Sequence, residues 1–76
     1  MEEFNKKLFG DRLRSKRAER DLTQKQLAEV SKVSVATIVS YESDDGYEPG
    51  ADNILKLACA LKCDPSWLLG WGASPE

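Results

Sequence analysis

Residues 22–42 read LTQKQLAEVSKVSVATIVSYE, and this stretch predicts two short helices joined by a tight turn. Thr23 followed by Gln26 three residues later is a capping box, in which each residue binds the other's backbone amide, so a helix begins at the next residue. That helix ends near residues 31–32. Ser34 has the residue type of a helix N-cap and begins the second helix, which extends to about residue 41.

The second of these helices is unusual because it is apolar nearly all the way round. Ile38 and Tyr41 share one face, whereas Val35, Ala36 and Val39 share the opposite one. A surface helix in a small protein normally turns charged or polar residues outward. The two valines and the alanine therefore indicate that this outer face contacts something beyond the chain itself.

Outward from this stretch, the chain predicts three further helices and no strand, since alternation of apolar and polar residues with a period of two is absent. The first covers about residues 4–19, and the fourth covers about residues 52–61. Asp64-Pro65 opens a fifth, which Gly70 ends. Residues 43–50 form the one long loop. The fourth helix is expected to bury Ile54, Leu55, Leu57, Ala58 and Leu61. The fold class is a compact all-α domain of five short helices.

The corner between the second and third helices has the spacing of a helix-turn-helix. Ala28 is small, so the third helix can cross close above it, and Val33 and Ile38 fill the angle between the two helices. This is the geometry of that motif, although many small helical proteins contain a similar corner.

Charge is distributed unevenly along a chain whose net charge is only −2. Residues 1–32 hold nine of the eleven Lys and Arg against six acids, a local charge of +3. Residues 33–76 hold two Lys against seven acids, a local charge of −5. A basic half can bind phosphate while an acidic half faces away, but a solvated charged face explains the same count equally well.

Composition argues against several other classes. The chain of 76 residues is short enough for one domain and has no His. Its cysteines, Cys59 and Cys63, are expected to pack, Cys59 above all, since two thiols make a poor zinc site and an i, i+4 pair makes a poor disulfide. No metal, cofactor or enzymatic activity is expected. Free thiols, with neither a signal peptide nor a membrane span in the sequence, favour a cytoplasmic protein.

The stretch LTQKQLAEVSKVSVATIVSYE resembles the helix-turn-helix of phage repressors and Cro proteins, the lambda repressor-like domains. SKRAERDLTQ and YEPGADNILKLACALKCDPSWLLG extend the resemblance to residues 9–70. It implies a five-helix DNA-binding domain at residues 1–70, with residues 71–76 as a tail or the start of a linker. It also implies a phage or prophage repressor in the bacterial cytoplasm, on the nucleoid, that binds a two-fold symmetric operator in double-stranded DNA as a homodimer.

The resemblance also assigns base-reading positions on the recognition helix, residues 34–41. These are Ser34, Val35, Ala36, Val39 and Ser40. Small apolar side chains contact the C5 methyl of thymine favourably in the major groove, and serine hydroxyls bind base edges. The sequence therefore predicts a reader of DNA shape and thymine methyls that makes few bidentate hydrogen bonds.

Residues at several helix ends, and two arginines of the first helical segment, are expected to contact the DNA backbone. They are Thr23, Gln24, Lys25, Lys32, Ser43 and Asn53, with Arg12 and Arg20 as weaker candidates. Free amides and the helix dipole at Gln24 attract phosphate. Lys32 stands where the family favours Gly, so a left-handed backbone there would cost about 1 kcal/mol or more. Asp44, Asp45 and Glu48 stand where some relatives carry cations, so that loop is expected to face away.

Two further assignments concern structure and assembly. Arg17 and Glu42 match a pair that forms a buried salt bridge in relatives. Pro65, Trp67, Leu68 and Trp71 are expected to form the dimer contact, with Trp67 also closing the core. The dimer would place two recognition helices one DNA turn, about 34 Å, apart.

The alternatives are an antitoxin or a restriction-modification controller of the same fold, and a protein-interaction module that uses the same corner. Strong salt dependence of binding would favour DNA over a protein partner.

Overall fold

The computed structural model describes residues 5–43 and 48–70, which contain five helices and no strand. The helices are α1 (Lys6–Glu19), α2 (Gln24–Ser31), α3 (Val35–Glu42), α4 (Ala51–Leu61) and α5 (Pro65–Leu69). The predicted all-α, five-helix architecture is confirmed. α1 begins two residues later than predicted because the side chain of Asn5 accepts a hydrogen bond from the Leu8 amide and caps the helix there.

Side-chain caps set most of the other helix starts. Thr23 Oγ1 accepts from the Gln26 amide (3.0 Å), and Gln26 Oε1 accepts from the Thr23 amide (2.9 Å), so the predicted capping box is present. The Asp64 carboxylate caps α5 through the Ser66 amide. α4 begins after Gly50, which offers no side-chain cap.

Three non-glycine residues adopt a left-handed backbone, each just after a helix. Asp21 follows α1, Lys32 follows α2, and Lys62 follows α4, with φ of 58°, 65° and 56° respectively. The left-handed turn expected at Lys32 is therefore present, and its amide donates to the Ala28 carbonyl (3.0 Å). The turn between α2 and α3 keeps its tight geometry without the glycine that it ordinarily favours.

The core lies between all five helices, each of which contributes at least one side chain. It consists of Phe9, Leu13, Leu27, Val33, Ile38, Tyr41, Ile54, Leu57, Ala58, Leu61 and Leu68. Two sequence predictions were wrong here. Leu55 is 58% exposed, because 100° per residue turns it away from the face of its neighbours in α4. Cys59 is exposed, whereas Cys63 packs against the core.

No helix within the described residues is long and apolar enough to cross a membrane.

Candidate nucleic-acid interface

The outward side of α3 is apolar and exposed, as the sequence predicted. Val35 and Val39 are 43% and 46% exposed, and Ala36 lies between them on the surface. We call these three residues the α3 outer face. Ile38 and Tyr41, on the opposite side, are buried in the core. The helix therefore presents small apolar groups outward from a firmly packed base.

The two serines assigned to base reading differ in their surroundings. Ser34 is exposed, and its Oγ accepts from the Thr37 amide (3.2 Å) and donates to Thr37 Oγ1 (2.8 Å). Ser40 is half-buried, and its carbonyl accepts from the Ser43 hydroxyl (3.1 Å). The predicted cap at Ser34 is present, and both base contacts stay predictions.

The N-terminus of α2 lies beside this helix in the fold and retains open hydrogen-bond donors. The capping box satisfies the amides of Thr23 and Gln26. Within the described residues, the amides of Gln24 and Lys25 have no acceptor, as expected of the first helical turn. An anion placed there would meet two free N–H groups and the positive end of the helix dipole.

A buried ion pair joins α1 to the C-terminal end of α3. Arg17 Nε donates to Glu42 Oε2 (2.8 Å), and Arg17 Nη2 donates to Glu42 Oε1 (3.0 Å). The Glu42 side chain is only 5% exposed. The hydrogen bond to Glu42 raises the pKa of the Arg17 guanidinium above its usual value, with burial acting in the opposite direction. The predicted salt bridge is thus present and bidentate.

Sequence reasoning missed a third partner of this carboxylate. Gln24 Nε2 donates to Glu42 Oε1 (3.1 Å), so the first residue of α2 is tied to the last residue of α3. A glutamine near a helix start carries no signal for such a long-range bond. The contact fixes the amide side chain of Gln24 beside the open N-terminus of α2, with its Oε1 and backbone amide still available.

The groove between α2 and α3 carries two exposed lysines. Lys25 and Lys32 line a shallow depression of about 380 Å³ whose other walls include Ser34, Val35 and one acid, Glu29, so the two lysines leave a net positive charge. Positive charge therefore lies next to the α3 outer face. If α3 entered a major groove, the phosphate backbone beside that groove would pass these lysines.

Ser43 and Asn53 lie near the far end of α3. Ser43 is exposed directly after the helix, and Asn53 Nδ2 donates to Tyr41 Oη (2.9 Å), which links α4 to α3. Glu48 is exposed, and Asp44 and Asp45 lie outside the described residues, so the orientation predicted for their loop stays a prediction.

The two arginines expected to assist on the DNA backbone are engaged by other helices. Arg12 Nη1 donates to the Trp67 carbonyl, and its guanidinium lies 4.7 Å from the centroid of the Trp67 ring. Lys16 Nζ lies 5.1 Å from the same ring. Arg20 Nε donates to the Leu61 carbonyl (2.8 Å). These bonds fix α1 on α4 and α5, and a role of Arg12 or Arg20 on DNA stays a prediction.

The α5 surface differs from the predicted dimer contact at one position. Leu68 is fully buried, so its assignment to a surface contact was wrong: the side chain fills the core of its own chain. Pro65 and Trp67 are half-buried, and Trp71 lies outside the described residues. An apolar groove of about 410 Å³ borders α5 instead, lined chiefly by Pro49, Ala51, Ile54, Leu55, Pro65 and Leu69.

No cluster of three or more His, Cys, Asp or Glu side chains able to hold a metal ion occurs in residues 5–43 and 48–70.

Comparison with known proteins identifies the family. A helix-turn-helix family model matches residues 13–68. The chain is 35% identical over 61 residues to the HTH-type transcriptional regulator DicA of Escherichia coli K12, covering 80% of this chain and 44% of DicA. It is 35% identical over 66 residues to repressor protein C2 of Salmonella phage P22, covering 87% of this chain and 30% of C2. It therefore spans less than half the length of these curated relatives.

Two solved structures share the fold closely. The restriction-modification controller protein C.AhdI of Aeromonas hydrophila superimposes with a TM-score of 0.76 at 35% identity, covering 83% of this chain and 94% of that one. The P22 c2 repressor in complex with a synthetic operator superimposes with a TM-score of 0.75 at 35% identity, covering 82% and 92%. The chain belongs to the helix-turn-helix family of DNA-binding transcriptional regulators, of the repressor and controller type.

Proposed function

We propose that this protein is a phage or prophage repressor that binds a two-fold symmetric operator as a homodimer, with α3 in the major groove. The observation that carries the proposal is the α3 outer face, which exposes Val35, Ala36 and Val39 beside the open N-terminus of α2. Major-groove reading needs base-contacting side chains on a helix surface next to groups that hold the phosphate backbone. Similarity to the P22 repressor, whose structure is bound to an operator, supports this proposal.

In this proposal, base reading depends on thymine methyl groups. Val35, Ala36 and Val39 offer methyl groups and no hydrogen-bonding atoms beyond the backbone, so they discriminate by apolar contact. Ser34 and Ser40 supply the hydroxyls at base edges. The backbone contacts come from Thr23, Gln24, Lys25, Lys32, Ser43 and Asn53, with Arg12 and Arg20 adding long-range attraction.

The homodimer is proposed to form along α5. The apolar groove lined by Leu55, Pro65 and Leu69 gives the second copy a surface to bury, and Pro65 is among the residues that the sequence assigned to the dimer contact. The DNA-binding unit is proposed to be residues 1–70, which include the 13–68 match to the family model, and it would act without enzymatic activity on the nucleoid of a bacterial cell.

The decisive experiment is selection of the full chain against a random pool of duplex DNA, followed by sequencing of the bound fraction. We expect enrichment of a two-fold symmetric site whose half-sites lie about one helical turn, ~34 Å, apart and are rich in thymine. Absence of enrichment at low salt, where any basic surface binds DNA, would refute sequence-specific recognition. An asymmetric site would refute the homodimer but not the DNA binding.

A restriction-modification controller or an antitoxin is the second candidate, favoured by the match to C.AhdI. The selected sequence separates these roles once it is located in the genome that encodes the chain. Sites beside restriction-modification or toxin genes favour the second candidate, whereas sites inside a prophage favour the repressor. A protein-interaction module is the third reading, and binding to DNA that falls steeply with salt would count against it.

A further inference from the structure

We propose that α1 sets the position of the recognition helix, and that Gly10 is the positioning residue. This inference rests on the proposed function, because it concerns the accuracy with which α3 meets DNA bases. Gly10 is a buried residue of α1 and lies against the C-terminal end of α3. A Cβ built on Gly10 would lie 2.7 Å from the Tyr41 carbonyl oxygen and 3.4 Å from Glu42 Cα.

The approach at Gly10 cannot be relieved by a change of rotamer. Its near neighbours are backbone atoms of Tyr41 and Glu42, and real Cβ atoms essentially never come within 3.0 Å of another group. Any side chain at this position must therefore push the C-terminal end of α3 away from α1. Gly10 lies inside a helix, where glycine is otherwise unfavourable, so its presence there fits a need for close approach.

Other contacts hold the same end of α3 against α1. The rings of Phe9 and Tyr41 pack edge to face with centroids 5.4 Å apart. Arg14 Nη1 donates to the Glu42 carbonyl (3.1 Å), and Arg17 binds the Glu42 carboxylate. These contacts restrain the helix along and across its axis, and Gly10 sets how near it can come.

The opposite end of α3 is fixed independently by the turn, where Val33 is buried and Ser34 caps the helix. A push at Tyr41 therefore tilts α3 about its N-terminus and carries Val39 with it. Recognition groups must be held within about 0.5 Å of their working positions, which is comparable to the displacement needed to admit a Cβ. Specific binding should suffer, while attraction to phosphates, which depends on charge, should not.

The test compares Gly10→Ala with Ser15→Ala, an alanine substitution at an exposed position of the same helix. Affinities for the selected operator and for a scrambled duplex are measured by fluorescence anisotropy at one salt concentration, where circular dichroism shows each variant folded. We expect the ratio of the two affinities to fall about tenfold in Gly10→Ala, the effect of losing one base contact. Affinity for the scrambled duplex, and the ratio in Ser15→Ala, should stay within about twofold.

A folded Gly10→Ala protein with the wild-type ratio would overturn the inference. If that variant does not fold, Arg14→Gln decides, since the exposed Arg14 side chain bonds to the Glu42 carbonyl of α3 and otherwise only to Asp11 of its own helix. An unchanged ratio in Arg14→Gln then overturns the inference, and a reduced ratio supports it. The proposed function fails separately, because its failure means that the wild-type chain selects no operator at all.

Discussion

The two sides of α3 are built in opposite ways. On the inner side, Ile38 and Tyr41 are buried in the core, and the buried Glu42 carboxylate is bonded to Arg17 of α1 and Gln24 of α2. On the outer side, Val35 and Val39 contact little within the chain and remain nearly half exposed. The comparison teaches that an apolar residue in this helix has one of two separate purposes, decided by the side on which it lies. Changes on the inner side should reduce stability, and changes on the outer side should reduce affinity.

The largest effect is expected from Glu42→Gln, which keeps the shape of the side chain but removes its charge. The Arg17 guanidinium would then be left without its buried partner, at a cost of about 3 kcal/mol in the free energy of unfolding. Urea denaturation followed by circular dichroism measures this. Glu29→Gln, an exposed acid on α2, should change stability by less than about 0.5 kcal/mol. Equal losses in the two variants would contradict the stabilising role of the buried Arg17–Glu42 pair.

The next effect is expected from the double variant Val35→Ser and Val39→Ser. Operator affinity should fall at least about tenfold, since apolar contact with thymine methyls is lost, while stability stays within about 0.5 kcal/mol. The matched control is Val30→Ser, because Val30 is 58% exposed but lies on α2, away from the α3 outer face. Its operator affinity should change less than about twofold in titrations by fluorescence anisotropy, and a loss as large as that of the double variant would contradict the assigned reading face.

Lys32→Gly and Lys62→Gly test whether a residue beside the α3 outer face affects DNA binding as well as stability. Both lysines have a left-handed backbone, so glycine at either position should stabilise the fold by about 1 kcal/mol in thermal unfolding. Only Lys32 borders the groove beside α3. Lys32→Gly should therefore also reduce the slope of log affinity against log salt by about 1, as expected for one lost phosphate contact. The same reduction in Lys62→Gly would refute a local role for Lys32.

The smallest effect concerns the reactivity of the two cysteines, one exposed on α4 and one partly buried just after it. Burial raises the pKa of the Cys63 thiol above its ordinary value of 9.0, whereas Cys59 is exposed. Iodoacetamide at pH 8 should thus alkylate Cys59 first, as mass spectrometry can follow. Because the folded protein holds the Cys63 proton more tightly than the unfolded chain does, the thiol adds to the free energy of unfolding below about pH 9. That contribution is lost as the pH rises through the folded pKa. Prior alkylation of Cys63 would contradict its packing.

The sequence was sufficient to predict features that local chemistry determines. The capping box at Thr23 and the cap at Ser34 each follow from a few neighbouring residues, whereas the left-handed backbone at Lys32 was expected from the family resemblance. The Arg17–Glu42 pair needed the family resemblance, since 25 residues separate the partners. The exposure of Leu55 was missed although the sequence shows it, because Ile54, Leu57, Ala58 and Leu61 follow the helical period and Leu55 lies outside it.

Other features could not be predicted because they depend on how helices approach one another. The bond from Gln24 to Glu42 and the close contact of Gly10 with Tyr41 arise only when three helices have packed. Leu68 was assigned to a surface patch because its neighbours are apolar, yet the helix places it inward. In each case the residue type could have been exposed or buried, and the way the helices pack against one another determined which it is.

The left-handed corners at Asp21, Lys32 and Lys62 have a consequence for the lifetime of the protein in a cell. At about 1 kcal/mol each, the two lysine corners raise the unfolded fraction roughly thirtyfold relative to a chain with glycine there, and Asp21 adds less because aspartate tolerates a left-handed backbone. Proteases that cleave the transiently opened chain act in proportion to that fraction. We therefore expect the wild-type chain to be degraded faster than a variant with glycine at these corners.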